Sequence, residues 1–472
     1  VNKPSSPAST LPRTAIVNVV GLCPRHLTPD MPFLRKFLAR DGVKLVHITP
    51  LLPAVTSTMQ ATYLTGTPPS AHGIVGNLWY DRDYAEHRCW KQSNHLVKGK
   101  KLWEKLREED PAYTCAKVFW WNNLYSTADY QITPRPIYRA DGKKLFDIQT
   151  WPMDLRKKVT RKLGKFPFPA FWGPAAGIAS SQWIAESAKW FEDHCSPNLN
   201  LVYLPHLDYN LQRVGPDAPA VSDDLQAIDK VVEDLVTHLE SRGVRVVILS
   251  EYGISRVDRA IHLNRVFREK GWITWREELG REMIDLGNCK AFAIPDHQLA
   301  HIYVNDPAIL DEVAETVRKL DGVAAVHDRE DQEGLGLAHE RSGDLVAVSD
   351  EHSWFTYYWW KKDRKAPDYA RCVDIHRKPG YDPVELFVNP KLWFPKAAIA
   401  WRLLKKALGF RMLMNVIPLD AGLVKGSHGC IPKDPDDHPV LIGAFSDLEN
   451  GATIPATEVF RSLLGFCRGS SQ

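Results

Sequence analysis

The chain has 472 residues, of which 44% are hydrophobic and 25% charged, an ordinary globular composition that excludes a disordered or fibrous class. Its net charge of +3 is near balance, so bulk electrostatics does not call for a nucleic-acid partner. Eight Cys are spread singly, with no C-x-x-C pair, which excludes a zinc ribbon and a dense disulfide framework. The length allows one large domain or two.

The first residues form a short polar, Pro/Ser-rich lead without the charged and apolar regions of a secretory signal, and a cytoplasmic location is expected. The apolar, β-branched runs "TAIVNVV", "VKLVHITP", "NLVYLP", "VRVVIL" and "GDLVAVS" read as buried strands. Helical patterns alternate with them, among them "SSQWIAESAKWFEDH" and "DDLQAIDKVVEDLVTHLESRG". This alternation predicts an α/β fold with a mostly parallel central sheet flanked by helices, whose ligand site lies at the carboxyl ends of the strands. Residues 286–340 read as a small inserted α+β lobe, after which "RSGDLVAV" is expected to return to the main sheet. Residues 351–430 are rich in aromatic, Pro and basic residues and are expected to cover the site. Within them "AAIAWRLLKKALGFRMLMNVIPL" reads as an amphipathic helix with a basic face, because Arg and Lys interrupt it too often for a membrane span. Several of the sixteen Trp cluster in "FWWNN" and "WFTYYWW", where core packing competes with substrate stacking.

Polar residues just after strands are the candidates for chemistry. Thr56 sits ahead of a predicted helix, where a hydroxyl faces the free N–H groups of a helix N-terminus; its structural alternative is a plain helix cap. Asp208 and Gln212 follow "NLVYLP" four residues apart, and "VVILSEYGIS" places Glu251 and Tyr252 at a strand end. His428 lies between small residues in "GSHG", where backbone can approach a ligand. His297 and His301 fall in "PDHQLAH", where a strand would put both on one face. The loop "DIHRKPGYDP" offers His376 as an acid or base, and Arg377 and Lys378 as phosphate-binding cations.

In this order the residues carry more. "PAVTSTMQATYLTGTPPSAHGIVGNLWYD" closely resembles the nucleophile region of the nucleotide pyrophosphatase/phosphodiesterase branch of the alkaline phosphatase superfamily. The resemblance extends at lower identity to "LDYNLQRVGP", "SEYGI" and "GSHG". It implies an alkaline phosphatase-like sandwich, Thr56 as nucleophile and Asn77 on a phosphoryl oxygen. The family holds two zinc ions through three Asp and three His. Asp208 and His428 match that set, but Gln212 stands at a His position, Glu251 and Tyr252 at an Asp and a His position, and Gly21 or Leu22 where a further Asp belongs. Amide and phenol are poor zinc ligands, so a conventional di-zinc centre is not expected. Two expectations stand: one divalent ion (Zn, Mn or Mg) held by Asp208, Gln212, Glu251 and His428, or a metal-free pocket.

Three functions follow. The first is hydrolysis of a phosphate ester or diester of a small anionic metabolite through Thr56. The second is a metal-independent reaction of small-metabolite biosynthesis using Glu251, Tyr252 and His428 as acid/base groups. The third is a binding protein that retains the pocket.

Overall fold

The computed structural model describes residues 9–469; the Pro/Ser-rich lead over 1–8 lies outside them. The strands that build the architecture are β1 (Thr14–Val19), β2 (Lys44–Thr49), β3 (Cys115–Val118), β4 (Tyr130–Pro134), β5 (Ile148–Trp151), β6 (Leu199–Leu204), β7 (Arg245–Leu249), β8 (Ala291–Asp296), β9 (Leu299–Val304), β10 (Val323–His327), β11 (Leu345–Ser349), β12 (Val440–Gly443) and β13 (Thr453–Pro455). A nine-stranded sheet runs β13-β2-β12-β7-β1-β6-β3-β4-β5. From β7 to β4 every neighbouring pair is parallel, whereas β12 and the edge strand β5 run antiparallel to their neighbours. The predicted mostly parallel α/β sheet is therefore present.

Every residue of β1 and β6 is buried, as expected of parallel strands covered on both faces. The helices α1 (Thr56–Thr65), α2 (Ile178–Cys195), α3 (His206–Val214), α4 (Val221–Ser241) and α5 (Pro395–Ala407) matter most below. Helices α2 and α4 pack Ile184, Ala188, Leu235 and Leu239 into a core shared with Val17, Val202 and Ile248. On the other face α1 packs Met59 and Tyr63 against Ile16, Leu201 and Val247. All ten residues of α1 are buried, so its first residue is fixed rather than frayed.

A second, four-stranded antiparallel sheet has the order β8-β9-β11-β10. The segment "RSGDLVAV" does not return to the main sheet, because β11 lies between β9 and β10. An apolar run buried on both faces reads alike in either sheet. What covers this one is the aromatic segment: Trp354, Tyr357, Tyr358, Trp359 and Trp360, each at most 1% exposed, share a core with Phe292, Ile302 and Leu345. That aromatic cluster is core packing.

The turn after β7 is pressed against its neighbour: a Cβ on Gly253 would lie 1.9 Å from the Asp437 carbonyl oxygen, whereas nothing stands within 4 Å of one on Gly465 in the helix Val459–Arg468. Gly253→Ala is expected to destabilise the chain by at least about 2 kcal/mol in urea unfolding, because two backbones must part. Gly465→Ala should leave stability unchanged or raise it by up to about 1 kcal/mol.

Candidate functional site

Adjacent parallel strands β7, β1 and β6 end together, with Asn18 level with Leu249 on one side and Tyr203 on the other. Beyond these ends α3 begins, and one turn of helix sets Asp208 and Gln212 on the same face. The chain leaving β7 presents Glu251 and Tyr252, and a loop after β2 delivers Thr56 as the first residue of α1. His428 follows the short strand Gly426–Ser427, which pairs with Ser255–Arg256 and so ties it to the same turn.

The Thr56 hydroxyl lies 3.2 Å from the Tyr252 hydroxyl, which donates to Asp208 Oδ1 at 3.2 Å. The Gln212 amide donates to Asp208 Oδ2 at 2.8 Å and meets the Tyr381 hydroxyl at 3.1 Å. Four rings form a column: Tyr252 stacks on His428 at 3.5 Å between centroids, His428 meets His297 at 3.8 Å tilted by 38°, and His297 stacks on Tyr381 at 3.6 Å. Each imidazole is pinned through Nδ1, His428 against the Ala54 carbonyl at 2.7 Å and His297 against Asp296 at 2.8 Å. Asp296 also accepts the Asn77 backbone N–H at 2.7 Å and its side-chain amide at 3.2 Å, while Asn77 Oδ1 accepts the N–H of Ser57 in the first turn of α1.

On the other side of Thr56, Glu251 Oε1 accepts the Asn18 and Gln60 amides, both at 2.5 Å. Its Oε2 is buried without a partner, and so is Nε2 of His297. Burial raises all three carboxyls against the hydrogen bonds they accept: Asp208 to about 7, Glu251 to about 8 and Asp296 to about 6. Burial pushes His297 and His428 well below the usual imidazole value, so both are neutral at physiological pH.

The structure thus brings together Thr56, Asn77, Asp208, Gln212, Glu251, Tyr252 and His428. It adds His297, which the sequence offered only as a strand-face partner of His301, and Asp296 and Tyr381, which sequence reasoning did not select. His297 and His301 do not share a strand face. His297 occupies the turn between β8 and β9 with φ of 64°, while His301, in β9, bonds the Val75 carbonyl. Of the "DIHRKPGYDP" loop only Tyr381 reaches the site, and the three residues expected to act there are engaged elsewhere. Lys378 is buried between Asp382 at 2.7 Å and Glu385 at 2.6 Å, Arg377 is exposed over the Tyr369 ring, and His376 bonds the Cys89 carbonyl.

The donor set does not fit a metal ion of the expected kind. Both oxygens of Asp208 accept hydrogen bonds, from Gln212 and Tyr252, and no group of three or more His, Cys, Asp or Glu among the described residues is placed to hold a metal. What the arrangement offers is a hydroxyl at a helix N-terminus, linked through a phenol to a carboxylate that titrates near neutrality.

The type I phosphodiesterase / nucleotide pyrophosphatase family profile matches residues 14–382. An uncharacterized pyrophosphatase/phosphodiesterase of Schizosaccharomyces pombe is 27% identical over 255 residues, covering 52% of this chain and 44% of that protein. An ectonucleotide pyrophosphatase/phosphodiesterase of Caenorhabditis elegans is 21% identical over 284 residues, covering 58% and 30%. The chain therefore spans less than half the length of these curated relatives. Among solved structures, murine ectonucleotide pyrophosphatase / phosphodiesterase 5 in complex with AMP aligns with TM-score 0.58 at 14% identity, over 98% of this chain and 96% of that one. Phosphonoacetate hydrolase from Sinorhizobium meliloti in complex with phosphonoformate gives 0.61 at 14% identity, over 98% and 97%. Both likenesses establish the fold.

Glu251 titrates near 8 in the folded chain against an ordinary 4.5. Between those values the folded state holds a proton that the unfolded chain has lost, so stability falls as pH rises through this window and levels off above it. Glu251→Gln removes the titration while keeping an acceptor for Asn18 and Gln60. Its melting temperature relative to the unsubstituted protein should climb from about pH 5 to about pH 9 in calorimetry; a constant difference would place the Glu251 carboxyl in water.

Proposed function

From the chain's membership of the type I phosphodiesterase / nucleotide pyrophosphatase family, we propose that it is a phosphoester hydrolase in which Thr56 attacks phosphorus and a buried phenol–carboxylate relay, not a zinc pair, takes its proton. The observation that carries this reading is the chain of contacts from Thr56 through Tyr252 to Asp208, with the second Asp208 oxygen held by Gln212. As the Thr56 oxygen bonds to phosphorus, its proton passes to Tyr252 while Tyr252 gives its own to Asp208. A base near neutrality suits this transfer. Glu251, protonated up to about 8, supplies a proton to the departing oxygen. Water then attacks phosphorus and gives a proton to Glu251, while Asp208 returns its own through Tyr252 to the departing Thr56 oxygen, so that phosphate, or a monoester from a diester, leaves and both carboxyls are reset.

An incoming phosphate meets the N–H groups opening α1 and the amide hydrogen of Asn77 that Asp296 leaves unused. It also meets carboxyls that burial holds partly neutral, which lessens repulsion in a site where Lys378 is already paired. Small phosphate or phosphonate anions are the substrate class that this reading supports. Eight free cysteines support a reducing, cytoplasmic setting. Among the described residues, no helix is long and apolar enough to cross a membrane.

Aryl phosphate mono- and diesters are suitable test substrates. Thr56→Ala should lower kcat/KM by at least about a thousandfold, and unchanged turnover would remove Thr56 from the reaction. The pH profile of kcat/KM should be a bell rising through about 7 as Asp208 ionises and falling through about 8 as Glu251 ionises. A single rise with no alkaline limb contradicts the role given to Glu251. Protein purified without chelator should turn over with substoichiometric metal, whereas a stoichiometric divalent ion lost on Asp208→Ala restores the single-metal expectation. Ligand-induced melting shifts without turnover of any ester point to a binding protein.

A further inference from the structure

Helix α5 holds several large apolar side chains out at the surface. None of its residues is buried. Pro395, Ala398, Ile399, Arg402 and Lys405 are half-buried, whereas Trp401, Leu403, Leu404 and Leu408 are exposed along with Lys396 and Lys406, and the Lys405 ammonium lies over the Trp401 ring one turn away. Arg402 is turned back onto the protein, donating to Asn415 Oδ1 at 2.9 Å and to the Ala398 carbonyl at 3.0 Å. Exposure is large where it should be small: Trp393 92%, Phe394 73%, Trp401 56%, Leu404 47%, Leu408 65% and Phe410 66%. A helix of this length gains most of its stability from burying apolar side chains, and these have no partner among the described residues.

Charge says what the partner is. From 386 to 419 the sequence holds Lys391, Lys396, Arg402, Lys405, Lys406 and Arg411 and not one Asp or Glu. We propose that α5 and its flanks dock on the surface of an anionic lipid bilayer. The helix lies in the interface with Trp393, Trp401, Leu404 and Leu408 among the upper acyl chains, and the Lys and Arg side chains reach the phosphates beside it. Tryptophan favours this depth, since its ring is apolar and its N–H needs a polar neighbour. A second copy fits poorly, because a two-fold contact would set the same cations against one another with no carboxylate between them. This inference stands apart from the reaction proposed above, although the same stretch of chain supplies Tyr381.

Flotation of the full chain with vesicles tests it. Binding is expected to vesicles of mixed phosphatidylglycerol and phosphatidylcholine, weakening with salt and much weaker on pure phosphatidylcholine. Trp401→Glu with Leu404→Glu should abolish binding, and Lys405→Ala with Lys406→Ala should weaken it by about thirtyfold. These positions are not buried, so circular dichroism and thermal melting should stay as in the unsubstituted protein. Thr56→Ala should bind vesicles like the unsubstituted chain, which separates this result from the fate of the hydrolase reading. The proposal is overturned if no vesicle binds, or if the Trp401→Glu, Leu404→Glu chain binds equally well. It is also overturned if light scattering shows a dimer that this double substitution dissolves, or if α5 captures a protein without any affinity for lipid.

Discussion

The column of Tyr252, His428, His297 and Tyr381 is the constraint on which the rest of the site depends. Its two inner rings are each fixed at one nitrogen, by the Ala54 carbonyl and by Asp296, so the column cannot rotate without breaking a buried hydrogen bond. Its two ends carry hydroxyls, and both converge on the Asp208–Gln212 pair. Stacking thus sets where the Tyr252 hydroxyl stands relative to Thr56. His297 accepts a left-handed backbone to join the column, a conformation that persists because ring contacts on both sides and Asp296 over-determine it.

Electrostatics follows from the same packing. Three carboxyls and two imidazoles lie in a volume from which water is excluded, and burial drives every one of them toward its neutral form. Metal ions would invert that logic by favouring carboxylates. Here hydrogen-bond donors hold the oxygens instead, Gln212 and Tyr252 on Asp208, Asn18 and Gln60 on Glu251. Burial is the main cause at both Asp208 and Glu251, and the charge of Asp208 raises Glu251 further, which leaves them at about 7 and about 8.

Much of this was legible in the sequence. Uninterrupted apolar runs marked the strands, and the polar residues just past them marked the site, because parallel sheets gather their strand ends at one edge. Thr56, Asn77, Asp208, Gln212, Glu251, Tyr252 and His428 were all reached in that way or through the family resemblance. Asp296 and Tyr381 were not, because they arrive from the end of a strand in the second sheet and from a loop whose charged residues, rather than its phenol, drew the reading. His297 was offered, but on a strand face with His301; it stands instead in the two-residue turn between Asp296 and Leu299. The placement of β11 failed for a different reason. Period and composition report burial, not which sheet provides it.

The central claim is that a phenol fixed by ring stacking does the work a metal does at the corresponding position of the family. Single-turnover kinetics of Tyr252→Phe addresses it most directly, since phenylalanine keeps the ring in the column and removes only the link between Thr56 and Asp208. The account predicts a fall in the chemical step of at least about a hundredfold, with unchanged melting temperature and unchanged substrate affinity, and no recovery on adding Zn, Mn or Mg. A variant as fast as the unsubstituted protein, or one restored by a divalent ion, would contradict it.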